Sequence, residues 1–249
     1  MKRVTICDIP VDSLTMRETI GLIDDAITRR KPIHHVVINA AKVVNAQKDT
    51  ALKESIVSCD IINADGQAIV WASRFLGRPL PERVAGIDIM ANLVKLAAEK
   101  KYRIFFLGAR EEVVKKVAEI YTAEYGNNIV AGYRNGYFTK EEEQNVAKQI
   151  AGSGASILFV AMSSPKKEIF LNTYKEIIQT PFIMGVGGSF DVVSGLVKRA
   201  PMWMQKTGLE WFYRVMQEPR RMWKRYLFGN SEFIYLVIKE KTKQIFRIK

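Results

Sequence analysis

Short runs of β-branched and aromatic residues alternate with longer amphipathic stretches over the first two hundred positions of the chain. Runs at residues 4–7, 35–38, 60–63, 103–107, 129–131, 157–161 and 182–185 predict seven strands. Helices between them have readable starts: Thr15 with Glu18, and Thr139 with Glu142, match the S/T-x-x-E capping box. Such alternation predicts an α/β architecture, a parallel or mixed sheet with helices on both faces. Ligands of that architecture bind at the carboxyl ends of strands, so site residues are expected just after strands. The loop at 132–138 reads as a polar, turn-rich insertion, and neither internal repeats nor low-complexity segments interrupt the alternation.

The pattern changes near residue 200. Trp203, Leu209, Trp211, Phe212, Val215 and Met216 supply an apolar face; Pro219 then interrupts it, and Arg220, Arg221, Met222, Trp223, Lys224, Arg225, Tyr226, Leu227 and Phe228 restart it. Two short basic-aromatic helices are expected over 201–228. The net charge is +12, and residues 199–249 hold twelve Lys and Arg against four Glu, so a local excess of +8 sits in the last fifth of the chain. The boundary divides an α/β core, 1–198, from a helical basic-aromatic appendage, 199–249. A solvated helix face, a nucleic-acid surface and a segment lying on an anionic membrane all have this composition. With 249 residues, 48% hydrophobic and 26% charged, the chain has the composition of a folded globular protein with a sizeable core. The longest apolar runs, 157–162 and 233–238, fall far short of a bilayer span, and the N-terminus lacks the apolar stretch of a signal peptide, so a cytoplasmic location is expected. Cys7 and Cys59 lack metal-ligand spacing and read as buried reduced thiols.

Polar or glycine-rich clusters follow four of the strands: Asn39, the quartet Asn63, Ala64, Asp65 and Gly66, Gly108, and the quartet Gly185, Val186, Gly187 and Gly188. In the last, bare backbone where a sheet feeds a helix suits close approach by a diphosphate; a tight turn accounts for the same residues. Asp65 is the sharpest acidic candidate, a carboxylate at the sheet edge able to accept a proton, and an Asp-Gly turn is the plainer reading. Asp191 fits a helix cap first and a partner for a sugar hydroxyl second. Asp-x-Asp, HExxH and paired CxxC motifs are all missing, so no metal and no cofactor is expected. Ser163 and Ser164 have no nearby histidine, which argues against serine hydrolysis. Adjacent His34 and His35 point to opposite faces of a strand and are expected on the surface or in packing.

Five motifs taken in order change the odds: Ile38-Asn39-Ala40, Asn63-Ala64-Asp65-Gly66, Arg83-Val84-Ala85-Gly86-Ile87-Asp88, Ser164-Pro165-Lys166-Lys167-Glu168 and Gly185-Val186-Gly187-Gly188-Ser189-Phe190-Asp191. Together they resemble the WecG/TagA-type glycosyltransferases. The likeness continues through Arg199-Ala200-Pro201, Gly208-Leu209-Glu210-Trp211, Tyr213-Arg214, Glu218-Pro219-Arg220-Arg221 and Arg225-Tyr226, and so covers nearly the whole chain. It implies a Rossmann-like enzyme that moves N-acetylmannosamine from a UDP donor to undecaprenyl-diphosphate-linked N-acetylglucosamine. That is an early step in wall teichoic acid or related surface-polymer synthesis, inverting and metal-independent. Two positions depart from the family pattern: Val37 stands where Thr is common, and Lys167 stands where Gln is usual, a cation able to face a phosphate.

On this resemblance Asp65 is the base, Asn39 and Arg83 hold sugar and phosphate, and Gly187, Gly188 and Asp191 line the nucleotide pocket. Arg221 and Arg225, four apart on one helical face, fit a diphosphate grip with Arg214 as a third cation and Lys167 as a further contact; a solvated face is the alternative. A lipid-linked acceptor is met at a membrane, so the appendage is expected to bind the inner face of the cell membrane peripherally, and its exposed aromatics predict a homo-oligomer. The alternatives are another donor, UDP-N-acetylmannosaminuronic acid or UDP-glucose, and, from a different class, a nucleic-acid-binding module built on the basic tail. The membrane reading is preferred, with no nucleic-acid partner.

Overall fold

The computed structural model describes residues 2–247, the side chains at 221, 222, 224–226 and 247 excepted. In chain order its elements begin β1 (Arg3–Ile6), β2 (Ile9–Asp12), α1 (Met16–Thr28), β3 (Ile33–Ile38), α2 (Ala40–Lys48), α3 (Thr50–Val57), β4 (Ile61–Ala64) and α4 (Gln67–Phe75). The middle of the chain gives α5 (Gly86–Lys100), β5 (Ile104–Gly108), α6 (Glu111–Tyr125), β6 (Val130–Arg134), α7 (Glu143–Gly152), β7 (Ile157–Ala161), α8 (Lys166–Ile178) and β8 (Phe182–Gly185). The last part gives α9 (Ser189–Val193), α10 (Met202–Lys206), α11 (Glu210–Gln217) and α12 (Pro219–Arg247).

Six strands form one wholly parallel sheet in the order β4-β3-β8-β7-β5-β6. Alternation along each strand sends neighbours to opposite faces: Ile157 and Phe159 join the core under α1, α5 and α6, while Leu158 and Val160 join the one under α7 and α8. Both faces are covered, as a parallel sheet requires. On the second face α2, α3 and α4 pack over Val36, Ile38 and Ile62, and α12 lies outside them, burying Phe233 and Val237 in the same cluster. Two ion pairs pin α12 there, Glu232 to Lys48 at 2.7 Å and Glu240 to Arg78 at 2.8 Å.

Three expectations change. First, β2 was not foreseen: it pairs antiparallel with β1 through Cys7 and Asp8, both at positive φ, a hairpin geometry usually announced by Asn-Gly. The turn is held from outside, since the Cys7 amide donates to Glu240 and Gln47 donates to the Cys7 carbonyl, at 2.7 and 2.8 Å. Second, residues 132–134 are strand β6, not loop. Third, the appendage is not two short helices. Gly208, at φ +75°, breaks the first, and a Cβ there would stand 2.8 Å from Gln67. Beyond Pro219, nothing of comparable strength intervenes and α12 runs for 29 residues. Thr15 and Glu18 complete their capping box, whereas Thr139 makes half of one, its amide donating to Glu142 ahead of α7. Cys7 and Cys59 are buried and free, and both histidines are buried in packing, none on the surface.

Candidate functional site

Because the sheet is parallel, the turns after β3, β4, β5, β7 and β8 open on one edge, and the strand-end clusters meet there. Asp65 directly follows β4. Its amide donates to the Ile38 carbonyl at 2.9 Å, and its Oδ1 accepts from the Gly86 amide, the first residue of α5, at 3.0 Å. Burial pushes the Asp65 carboxyl up from its ordinary range; the Gly86 N–H, Arg83 and Lys42 pull it down, and Glu210 adds to the rise. A carboxyl balanced this way suits a proton acceptor. Asn39 is beside it: a Cβ on Gly66 would lie 3.3 Å from that of Asn39. Asn39 also caps α2, its Oδ1 accepting from the Lys42 amide at 3.0 Å.

Arg83 stands over this turn in a four-charge clasp. Its guanidinium donates to Glu210 at 2.8 Å and lies 3.9 Å from Asp88, while Arg199 pairs with both Asp88 oxygens at 2.6 and 2.9 Å. Asp88 belongs to α5 and Glu210 to α11, so the clasp fastens the appendage to the core at the sheet edge.

The glycine turn after β8 is the third part. Gly187 adopts φ +55°, and Gly188 precedes the first residue of α9. A Cβ on Gly188 would lie 3.4 Å from the Arg214 guanidinium and 3.7 Å from the Asp191 carboxylate, so both groups lie against that turn. Asp191 is not the cap expected of it, because Gly188 occupies the N-cap and Asp191 lies within the first turn. Lys167 reaches the same turn from α8 by its stem, lying 2.9 Å from where Gly185 would carry a Cβ, and its ammonium is buried 2.9 Å from Glu168. The structure therefore gathers Asn39, Asp65, Arg83, Lys167, Gly187, Gly188, Asp191 and Arg214 at one edge. The side chains of Arg221 and Arg225 lie outside the described residues.

Beside these, the ends of β5, β6 and β7 frame a cleft of about 520 Å³ lined by Ala109, Gly136, Tyr137, Phe138, Met162 and Lys166, among others. The Lys166 ammonium lies 4.6 Å from the Phe138 ring centre. Sequence reasoning gave no role to Tyr137, Lys166, Asp88, Arg199 or Glu210. The first lies in the segment flagged as turn-rich, and the last three stand in motifs without a spacing that shows they meet. Among the described residues no three His, Cys, Asp or Glu are grouped to hold a metal, and no helix is long and apolar enough to cross a membrane.

A sequence model described as the glycosyl transferase WecG/TagA/CpsF family matches residues 4–247. A Bacillus subtilis (strain 168) protein named N-acetylglucosaminyldiphosphoundecaprenol N-acetyl-beta-D-mannosaminyltransferase is 39% identical over 209 residues, 84% of this chain and 80% of its own. A protein of the same name from Bacillus spizizenii (strain ATCC 23059 / NRRL B-14472 / W23) is 37% identical over 196 residues, 79% of this chain and 75% of its own. A match that takes in the appendage as well as the core, together with relatives 39% and 37% identical, places this chain in the WecG/TagA/CpsF family of glycosyl transferases, and the parallel sheet is consistent with it.

Proposed function

We propose that this chain transfers N-acetylmannosamine from UDP-N-acetylmannosamine to N-acetylglucosamine carried on a polyprenyl diphosphate, with inversion at the anomeric carbon and without a metal. The named relatives support the substrates, and the observation that carries the chemistry is Asp65, a desolvated carboxylate at a strand end with one oxygen fixed by the Gly86 amide.

Asp65 takes the proton of the acceptor hydroxyl as that oxygen attacks the anomeric carbon from the side opposite the departing group. One carbon–oxygen bond forms, the bond to the β-phosphate breaks, and UDP leaves with the electron pair. Arg83, Arg214 and the amides of the Gly187–Gly188 turn meet the charge that grows on UDP, and Asn39 holds sugar hydroxyls. Lys167 adds positive charge to the same edge. Asp191 holds the ribose beside the cleft, which receives the nucleoside.

Residues 1–198 carry the base and the glycine turn, and 199–249 bring Arg214 to the leaving UDP and serve the acceptor and the membrane. The support is the exposure of the apolar side chains Met202, Trp203, Phe212, Met216, Leu227 and Phe228, on a segment rich in Lys and Arg. Arg221 and Arg225 act there on the acceptor diphosphate. A peripheral place on the inner membrane face follows, with self-association covering the same surface away from lipid.

The test is to incubate the full chain with EDTA, a panel of UDP-sugars including the mannosaminuronic acid and glucose forms, and a short-chain polyprenyl-diphosphate N-acetylglucosamine in anionic vesicles. The disaccharide product and UDP are then measured by mass. UDP-N-acetylmannosamine is the expected donor, and Asp65→Asn is expected to lose roughly 10² to 10⁴ in turnover while donor binding persists. Product from Asp65→Asn at the wild-type rate removes Asp65 from the role; product only with another sugar changes the donor.

A further inference from the structure

Lys42, Lys167 and Glu168 are 8%, 6% and 4% exposed, a buried group of three charges under the site edge. One oxygen of Glu168 lies 2.8 Å from the Lys42 ammonium and 2.9 Å from that of Lys167. Burying such a group is expensive, and apolar residues of the same volume often stabilise a fold equally well, so its presence asks for a reason beyond stability.

The reason lies in what Lys42 grips. Its ammonium donates to the Val37 carbonyl at 2.7 Å, and its own amide donates to the Asn39 side chain at 3.0 Å. Lys42 therefore holds the β3–α2 turn from both sides of Asn39. The turn in turn abuts Gly66, beside Asp65, whose amide is bonded to the Ile38 carbonyl at the end of β3. Glu168 fixes the ammonium in place, and Lys167 keeps Glu168 paired.

We propose that Lys42 is a positioning residue for the transfer reaction, a buried cation that sets the placement of Asn39 beside Asp65. The inference rests on Asp65 being the base. Lys42 acts on Asp65 alongside Arg83 from the loop before α5, Glu210 from α11 and the Gly86 amide, and of these Lys42 and Arg83 are the cations. Around Lys42 itself stand Glu168 and Lys167 from α8, His35 from β3 and Cys59 from the loop before β4. His35 is held neutral by burial, and burial pushes the Cys59 thiol up to about 12, so neither adds charge near neutral pH. Burial alone would push Glu168 up; Lys42 and Lys167 outweigh it and hold it at about 2, so Glu168 stays ionised across the working range.

The experiment compares the full-length wild-type chain with Lys42→Met and Lys42→Arg. In Lys42→Met, Glu168 keeps Lys167 as its partner, so no buried charge is stranded. The readouts are turnover against pH, KM for UDP-N-acetylmannosamine, and Tm. The expected result is a turnover about tenfold lower in Lys42→Met, with the acid limb moved to higher pH, donor KM within about twofold and Tm within a few degrees. Lys42→Arg restores the acid limb. An unmoved acid limb in folded Lys42→Met overturns the proposal, as does activity lost only in step with Tm in both variants. Asp65→Asn measured in parallel separates the two readings: if it retains the wild-type acid limb, the base assignment has failed, and if it loses that limb while Lys42→Met keeps it, only the role of Lys42 has failed.

Discussion

Glu210 and Arg83 act on Asp65 with opposite sign, and they are bonded to each other at 2.8 Å. Glu210 raises the Asp65 pKa, so Glu210→Gln is expected to move the acid limb of turnover to lower pH, opposite to the effect of losing Lys42. A pH profile of the purified variant checks the sign, and an upward move counts against the electrostatic reading. Asp65 and Asn39 were legible in the sequence because a polar residue just past a strand is out of place in a core and in place at a ligand edge. Lys42 and Glu168 were not, because a lysine on an amphipathic helix normally points its charge into water, and only the tertiary meeting of α2 with α8 makes these two a pair. Arg83 was assigned a role from its motif, but that it shares a carboxylate with the appendage depends on Glu210, 127 residues away in sequence.

At the scale of elements, α12 does two things along its length. Its first part carries exposed Trp223, Leu227 and Phe228, while farther on it buries Phe233 and Val237 against α2 and the β1–β2 hairpin. The second part is thus core by packing, although its basic composition joined it to the appendage in the sequence. Phe233→Ala is expected to cost about 3 to 5 kcal/mol by urea denaturation, as deletion of a buried aromatic does. A loss under about 1 kcal/mol would show that α12 is not docked in solution. Strands were read well because runs of three to five residues rich in β-branched and aromatic side chains leave few alternatives, and six of the eight observed strands sit in one sheet. What failed was the hairpin: its Cys7-Asp8 turn takes positive φ without glycine, held by Gln47 and Glu240 from helices distant in sequence.

For the molecule as a whole, acid stability follows from its buried ionisable groups. Burial lowers His34 and His35 to about 4 from an ordinary 6.5, so the unfolded chain binds more protons between those values. Stability is full above about 6.5 and falls as pH drops toward 4, by about 3 kcal/mol for each histidine. Glu168, held at about 2 against an ordinary 4.5, adds a second loss below about 4.5. Denaturant midpoints from pH 8 to 4 should decline through this window, and a flat profile down to pH 5 would contradict it. The strand order carries a further consequence, for synthesis. β8, last of the strands to be made, lies at the centre of the sheet between β3 and β7. Until residues 182–185 leave the ribosome, β3 and β7 each present an unpaired, apolar edge, and the two halves of the sheet have nothing to join them. The nascent enzyme is therefore most exposed to aggregation late in translation, and the strand that bears the glycine turn of the site is also the one whose arrival closes the fold.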